Sequence, residues 1–450
     1  MRDYDHPSRK QLHEEVHARP PIALWPNERV LSQSFLLDAN SRQKQIDWIA
    51  TLSRALDVPN NSEDPSFKFL TITPEPDRVV IKWELHGEFA TIAVIVHNKT
   101  KVTGPLLSSR LQIEGQLDDL LENLKCPKIS EAGGVRISAL DLTFEQRPLF
   151  SDADEVADIF NGNTLVGSYL LSNKKSQIWT DLCLDEDGFI SYFIPHETLG
   201  SRQAGRIARG IAEAETYRMT AMLAFPVAKS LSSPLRNAES ELADLSEKIS
   251  HLQSEAGVNP ERDGQFLGEL SQLASKTEQW ISGYGLRFTA AEAYSQLLNK
   301  NLLELKETPI QGVQTLSEFM DRRFQPAMGT CLWTQRRLKE LSDRISRTTQ
   351  TLRTRIEFVN EEQTQKLLAS MDQRARLQLR LQETVESLSV LVLTYYAVSL
   401  LAYVAKGGKE AGLPLHPEII AAIAAPVVAL LFFFISKKRR KHINQISKKS

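Results

Sequence analysis

Cysteine is nearly absent: the 450 residues contain three, Cys126, Cys183 and Cys331. They are far apart and odd in number, which excludes a disulfide framework and a CxxC metal knuckle. Free thiols in a reducing compartment are the expectation. The N-terminal string MRDYDHPSRKQLHEEVHARPP lacks an apolar run, so no cleavable secretory signal is expected. A dominant charge is missing too. Lys+Arg 54 against Asp+Glu 56 leaves a net −2, which argues against a polyanion binder, and no nucleic-acid partner is expected. GxGxxG, Walker, GxSxG and Cys/His nucleophile strings are all lacking, so neither a nucleotide cofactor nor a hydrolase triad is indicated. With 42% hydrophobic and 24% charged residues the chain is a core-former, and its length corresponds to about three domain-sized units.

Long apolar runs are present at one end only. Residues 387–405 (SLSVLVLTYYAVSLLAYVA) and 419–435 (IIAAIAAPVVALLFFFI) carry no charge. At 1.5 Å per residue each reaches roughly the hydrocarbon thickness of a bilayer, so two transmembrane helices are expected. The linker KGGKEAGLPLHPE suits a tight hairpin. Its Lys406 and Lys409 compare with seven Lys/Arg and no acid in residues 437–450, which leaves 47 basic against 56 acidic residues before them. The positive-inside rule then puts both termini in the cytoplasm and the loop outside. Lys437, Lys438, Arg439, Arg440 and Lys441 are candidates for contact with lipid headgroups. Tyr396, Ser399 and Tyr403 share one face of the first span and are candidates for a helix interface or a pore lining.

The rest reads as α+β. Short β-branched or aromatic runs at 29–37, 67–73, 78–85, 89–96, 135–144, 164–171, 178–184 and 188–194 are expected strands, with a helix at 41–56. Asp187-Gly188 between WTDLCL and FISYFI marks a hairpin. A mixed α/β sheet domain is therefore expected over 1–195. From Thr198 strands give way to helices over 196–385, broken at Pro226, Pro234, 259–260, 283–285 and 308–312. Neither Pro nor Gly occurs between Gly329 and Gly407. There Leu338, Leu341, Ile345, Leu352, Ile356, Val359, Leu367, Met371 and Leu381 recur at helical spacing. One very long stalk helix, roughly 110 Å from about Leu332 into the first span, is expected. It needs neighbouring helices or copies of itself to bury that stripe, so a homo-oligomer is expected. Residues 386–436 form the expected two-helix transmembrane hairpin, and 437–450 a basic cytoplasmic tail.

One string looks catalytic. His13-Glu14-Glu15-Val16-His17 matches H-E-x-x-H, which on a helix puts His13 and His17 on one face for zinc with Glu14 as general base. Arg19-Pro20-Pro21 ends any helix there and no third ligand follows at a metallopeptidase spacing, so the plainer reading is an amphipathic turn. Arg202, Arg206 and Arg209 share a helical face next to Glu213, Glu215 and Arg218, the pattern of a salt-bridged surface, with an anion site as the alternative.

LHEEVHARPP (12–21), AGRIARGIAEAETYRMTAMLAFPVA (204–228), LRFTAAEAYSQLL (286–298), GVQTLSEFMDRRFQPAMGTC (312–331) and MDQRARLQLRLQETVESLSVL (371–391) together resemble a bacterial family of uncharacterised membrane-anchored proteins, known only as a domain of unknown function. The resemblance runs nearly end to end and implies a bacterial inner-membrane location, without an activity. The plan of cytosolic domain, stalk, two C-terminal spans and basic tail is also similar to CorA-type magnesium channels. Their Gly-Met-Asn signature is replaced here by Lys406-Gly407-Gly408-Lys409. The sequence reading is thus a non-enzymatic scaffold or sensor with an unidentified protein partner. An ion channel or a zinc hydrolase is the alternative.

Overall fold

A computed structural model describes residues 6, 8, 9, 12, 13, 21–58, 69–75, 79–97, 101–102, 104–254, 260–410 and 417–447. Its strands are β1 (Glu28–Leu36), β2 (Phe69–Glu75), β3 (Val79–Leu85), β4 (Phe89–His97), β5 (Val135–Gln146), β6 (Val166–Tyr169), β7 (Gln177–Thr180), β8 (Ile190–His196) and β9 (Thr308–Pro309). They form one nine-stranded sheet in the order β2-β3-β4-β1-β5-β8-β7-β6-β9. All pairs are antiparallel except β5 with β8. Alternation along the strands divides the sheet into two faces. Leu31 and Phe35 of β1, Ile81 and Trp83 of β3, and Ile92 and Val94 of β4 belong to one buried cluster. Helices α1 (Ala39–Ala55) and α2 (Leu106–Asn123) add Trp48, Ile49, Leu52, Leu117 and Leu121 to it. The indoles are satisfied inside: Trp83 Nε1 donates to Gln45 Oε1 at 2.9 Å and Trp48 Nε1 to the Pro127 carbonyl at 2.9 Å. Val30, Ser32 and Ser34 of β1, with Lys82 and Glu84 of β3, point to the opposite face, toward α3 (Ser201–Met222).

The helical part consists of α4 (Ala224–Ser254), α5 (Pro260–Leu305), α6 (Leu316–Arg323), α7 (Gln325–Glu410) and α8 (Pro417–Ser447). Three punctuation signals behave differently from expectation. Pro234 lies inside α4, where Leu231, Leu235, Ala238, Leu242, Leu245 and Ile249 are buried on one stripe. That burial outweighs the roughly 3 kcal/mol a helix-interior proline costs. Gly283 and Gly285 do not interrupt α5, since about 1 kcal/mol each is small beside the burial of Phe288, Ala291 and Leu298. Thr308–Pro309 is a strand on the sheet edge beside β6 rather than a plain turn. It follows a helical stretch, so strands do not end at residue 198. At the Asp187-Gly188 hairpin, Gly188 takes φ +78°, a conformation that favours glycine. Leu184 bridges Ile190 across it.

The chain divides into two compact units, one of residues 1–255 with 265–348 and one of 256–264 with 349–450. Helix α7 is continuous over 86 residues. Along it the predicted stripe changes character. Leu338, Leu341, Ile345 and Leu352 are buried, whereas Leu367, Met371 and Leu381 are 58–67% exposed. Among the described residues one helical stretch, Leu316–Gly408, is long and apolar enough to cross a membrane by length and composition, and almost none of its apolar part is buried. Ala421–Ile435 is a shorter apolar stretch.

Candidate functional site

The face of the sheet under α3 carries a groove. Its floor is three rows of cross-strand neighbours: Val30 and Ile95; then Ser32, Ala93 and Lys82; then Thr91 and Glu84. Its roof is Gly205, Ala208, Arg209, Ala212 and Glu213, and Ile22 and Leu24 of the segment before β1 close one end. Small residues at 205, 208 and 212 keep α3 from filling the space, and a cavity of about 60 Å³ remains, partly open to solvent. The segment is fastened by the Leu24 N–H, which donates to the Ser201 carbonyl at 3.0 Å.

Polarity increases along the groove. Thr216 accepts or donates at 2.8 Å to Ser34 and 3.1 Å to Ser138, and Ser34 meets Thr91 at 3.0 Å. Lys82 and Glu84 are each 7% exposed, with Lys82 Nζ 2.9 Å from Glu84 Oε1. Arg209 Nε donates to Glu213 Oε1 at 2.7 Å, and Asn301 Nδ2 donates to Glu213 Oε2 at 3.3 Å. Beyond them Phe89, Tyr217 and Tyr294 form a ring cluster with centroids 5.7–6.4 Å apart. Burial drives the Tyr217 phenol well above its ordinary range, and Glu213 pushes it in the same direction. Glu88 fixes the end of the β3–β4 hairpin to α5 through Arg287 and through the Tyr294 hydroxyl at 3.2 Å.

A second polar cluster is structural in character. Arg110 is fully buried and reaches Asp185, Asp187 at 2.5 Å and Glu114 at 3.3 Å, with its guanidinium 4.2 Å from the Phe189 ring centre. Asp185 Oδ1 meanwhile accepts from the N–H groups of Asp187 and Phe189. The acidic turn is therefore closed by a side chain of the same protein. Burial raises the Glu114 carboxyl above its usual range, and the opposing pull of Arg110 is the smaller effect.

The residues singled out from sequence distribute as follows. His13 is exposed, while Glu14 and His17 lie outside the described residues. Among the described residues no group of three His, Cys, Asp or Glu side chains could hold a metal. Tyr396 and Tyr403 are 65% and 75% exposed and Ser399 half-buried, all on α7. Lys437, Lys438, Arg439, Arg440 and Lys441 lie in α8, and Lys438 is exposed. Of the arginine face, Arg202 and Arg206 are exposed, whereas Arg209 turns into the groove and pairs with Glu213. Lys82 and Glu84 were not legible as site residues. Charges at i and i+2 of a strand signal only a common face, and the helix that covers them comes more than a hundred residues later.

No curated protein and no solved structure matches the chain. A family model described as "Protein of unknown function (DUF3422)" matches residues 4–443, and the chain therefore belongs to the DUF3422 family.

Proposed function

We propose that the protein is a non-enzymatic scaffold or sensor anchored in the bacterial inner membrane. Its two spans are 387–405 and 419–435, with both termini and the sheet-bearing unit in the cytoplasm. The observation that carries this reading is the exposure of Leu388, Leu391, Tyr395, Leu400 and Val404, each 63–69%, on a continuous helix. Removing each such side chain from water is worth about 1.5–3 kcal/mol, and a bilayer is the solvent that accepts all of them together. A helix satisfies its own backbone there. The seven basic residues after Ile435 favour a cytoplasmic tail.

The exposed Leu367, Met371 and Leu381 support self-association of the stalk. Tyr396, Ser399 and Tyr403 then belong to a helix interface. The test is alkaline carbonate extraction, together with protease protection of tags placed after residue 450 and within 411–416. Retention in the pellet, a tail cut only from the cytoplasmic side and a loop cut only from outside are expected. Release by carbonate removes the anchor, and a loop cut from inside removes the two-span topology. The mass of the complex in detergent separates a small assembly from the fivefold ring of CorA-type channels.

A further inference from the structure

We infer that the cavity between α5 and α7 is a binding site for a soft monovalent metal ion, Cu(I), held by the thiolate of Cys331 and the thioether of Met328. This goes beyond the proposed function and does not depend on the membrane reading.

The space comes first. Phe288 and Ala291 of α5 and Met328 and Cys331 of α7, each 1–2% exposed, wall a cavity of about 110 Å³. All four belong to one compact unit. Protein interiors rarely leave voids larger than a water molecule, and a water needs about 10–15 Å³ measured the same way. Glu292 and Gln296 line the cavity as well but are exposed, and so form its mouth.

The two sulfur atoms define the ligand. Met328 and Cys331 lie three apart on one continuous helix and therefore share a face, with Cβ atoms about 5–6 Å apart. One ion can bridge two sulfurs at that spacing. Thiolate and thioether are soft donors and select Cu(I) over hard cations.

A separate observation points to a ligand in the same place. Ser295 is 9% exposed and lines the cavity, and its hydroxyl has no hydrogen-bond partner among the described residues. A buried polar group rarely stays unmet without a missing water or ion. A metal-bound thiolate keeps lone pairs, and the Ser295 hydroxyl can donate to one, an outer contact of the kind that orients a metal ligand.

Charge selects the ion further. No cationic side chain lines the cavity, and its one carboxylate, Glu292, is at the mouth. A thiolate and a monovalent ion cancel, so the filled site buries no net charge. Zinc takes three or four ligands, and no cluster of three His, Cys, Asp or Glu exists among the described residues. On binding, the Cys331 S–H bond breaks as the S–Cu bond forms; the proton leaves to water through the mouth, and no electron is transferred.

The test uses the full chain with Cys183→Ser, which removes the exposed thiol, in detergent without oxygen. Cu(I) is titrated against a chromophoric chelator, and the copper X-ray absorption spectrum identifies its ligands. One Cu(I) per chain with sulfur ligands only is expected. Adding Met328→Leu, a swap of similar volume that cores tolerate, should weaken binding by about tenfold or more, and Ser295→Ala by about tenfold. Cys331→Ala should abolish binding, and an equal concentration of Zn(II) should not displace the copper. Full affinity in a folded Cys331→Ala overturns the site, and full affinity in Met328→Leu overturns the second ligand. A spectrum with nitrogen or oxygen ligands alone overturns the sulfur assignment without recourse to any variant at the site. Displacement by Zn(II) overturns the choice of a soft monovalent ion. Carbonate extraction reads membrane anchoring separately from all of these.

Discussion

The carbonyl oxygen of Ile22 occupies the place where Gly205 would carry a side chain: a Cβ there would come within 1.8 Å of it. The neighbouring Ile22 carbonyl carbon would be 2.9 Å away, so backbone, not a movable side-chain tip, sets the limit. Gly205 is thereby the residue that lets the segment before β1 lie against α3 and close the groove. In the same helix a Cβ on Gly210 would meet nothing within 4 Å. The two glycines should respond oppositely to alanine. Gly210→Ala gains helix propensity and should stabilise by up to about 1 kcal/mol. Gly205→Ala gains the same propensity but must displace the segment, an overpacking cost of about 1–3 kcal/mol. Thermal midpoints and limited proteolysis around residues 21–27 check this pair. Equal shifts for both variants would mean that the close approach does not exist.

Arg29 and Asp141 make the least exposed ion pair of the sheet, with both side chains at 0% exposure. Arg29 Nε donates to Asp141 Oδ1 at 2.6 Å, and Nη2 also reaches Oδ2. Two further guanidinium N–H groups go to Ser109 Oγ at 2.6 Å and the Leu106 carbonyl at 2.7 Å, so one side chain joins β1, β5 and the first turn of α2. Removing one partner leaves the other as an unpaired buried charge, and Asp141→Leu or Arg29→Met should each cost about 3–5 kcal/mol. The double variant should cost clearly less than the sum of the two, because no stranded charge remains. Chemical denaturation of the four proteins measures the coupling. Additive losses would place the pair's contribution elsewhere.

How much of this was visible in the sequence depends on the range over which each signal acts. The eight expected strands are all present, because β-branched runs bounded by Pro, Gly and Asp are local signals. Helix α2 was not anticipated. Its Leu106, Leu117 and Leu121 are interspersed with polar residues, and it begins after a proline without a side-chain cap. The long helix was legible because nothing in 330–406 can stop one, although it begins at Gln325 and takes in Pro326 and Gly329 in its first turn, where a proline lacks no partner it would otherwise have. The groove was not legible. It depends on Lys82, Arg209 and Ile22 meeting across the fold, and on Gly205, Ala208 and Ala212 being small where they meet the sheet. No spacing within any one segment encodes that.

His196, at the end of β8, is buried at 2% exposure, with Nε2 2.9 Å from the Pro26 carbonyl and Nδ1 without a partner. The carbonyl requires the proton on Nε2, so protonating the ring would add an unmet N–H at Nδ1. Burial accordingly holds its pKa below the ordinary value of 6.5, against the smaller opposing effect of the Pro26 carbonyl. The unfolded chain takes up this proton near pH 6.5 while the folded chain resists it. Stability from this residue is therefore complete above that pH and declines as pH falls toward the folded-state pKa. The decline can approach about 1.4 kcal/mol per pH unit at its steepest. His196→Gln should be less stable than the natural chain at about pH 7.5, yet lose less on moving to about pH 5.5. Unfolding midpoints at the two pH values provide the comparison, and parallel losses would assign the acid sensitivity to other groups.

The three thiols should separate cleanly by reactivity, because the fold gives each a different environment. Cys183 is exposed after β7, while Cys126 and Cys331 are buried. Burial raises all three above the ordinary thiol value, and Asp181 adds to the effect at Cys183. Cys331, pushed up to about 11, lies beside Phe288, Ala291 and Met328 at a cavity of about 110 Å³ between α5 and α7. Since only the thiolate reacts, an elevated pKa slows Cys331 and inaccessibility slows it further. Maleimide at neutral pH should modify one site per native chain, slowly, and three after denaturation without reductant. Cys183→Ser should abolish the native label and leave two sites in the denatured chain. A second site labelled in the native protein, mapped to Cys331, would mean that α5 and α7 separate readily at this cavity. Fewer than three sites in the unreduced, denatured chain would instead reveal an oxidised pair, which the separation of these cysteines in the fold argues against.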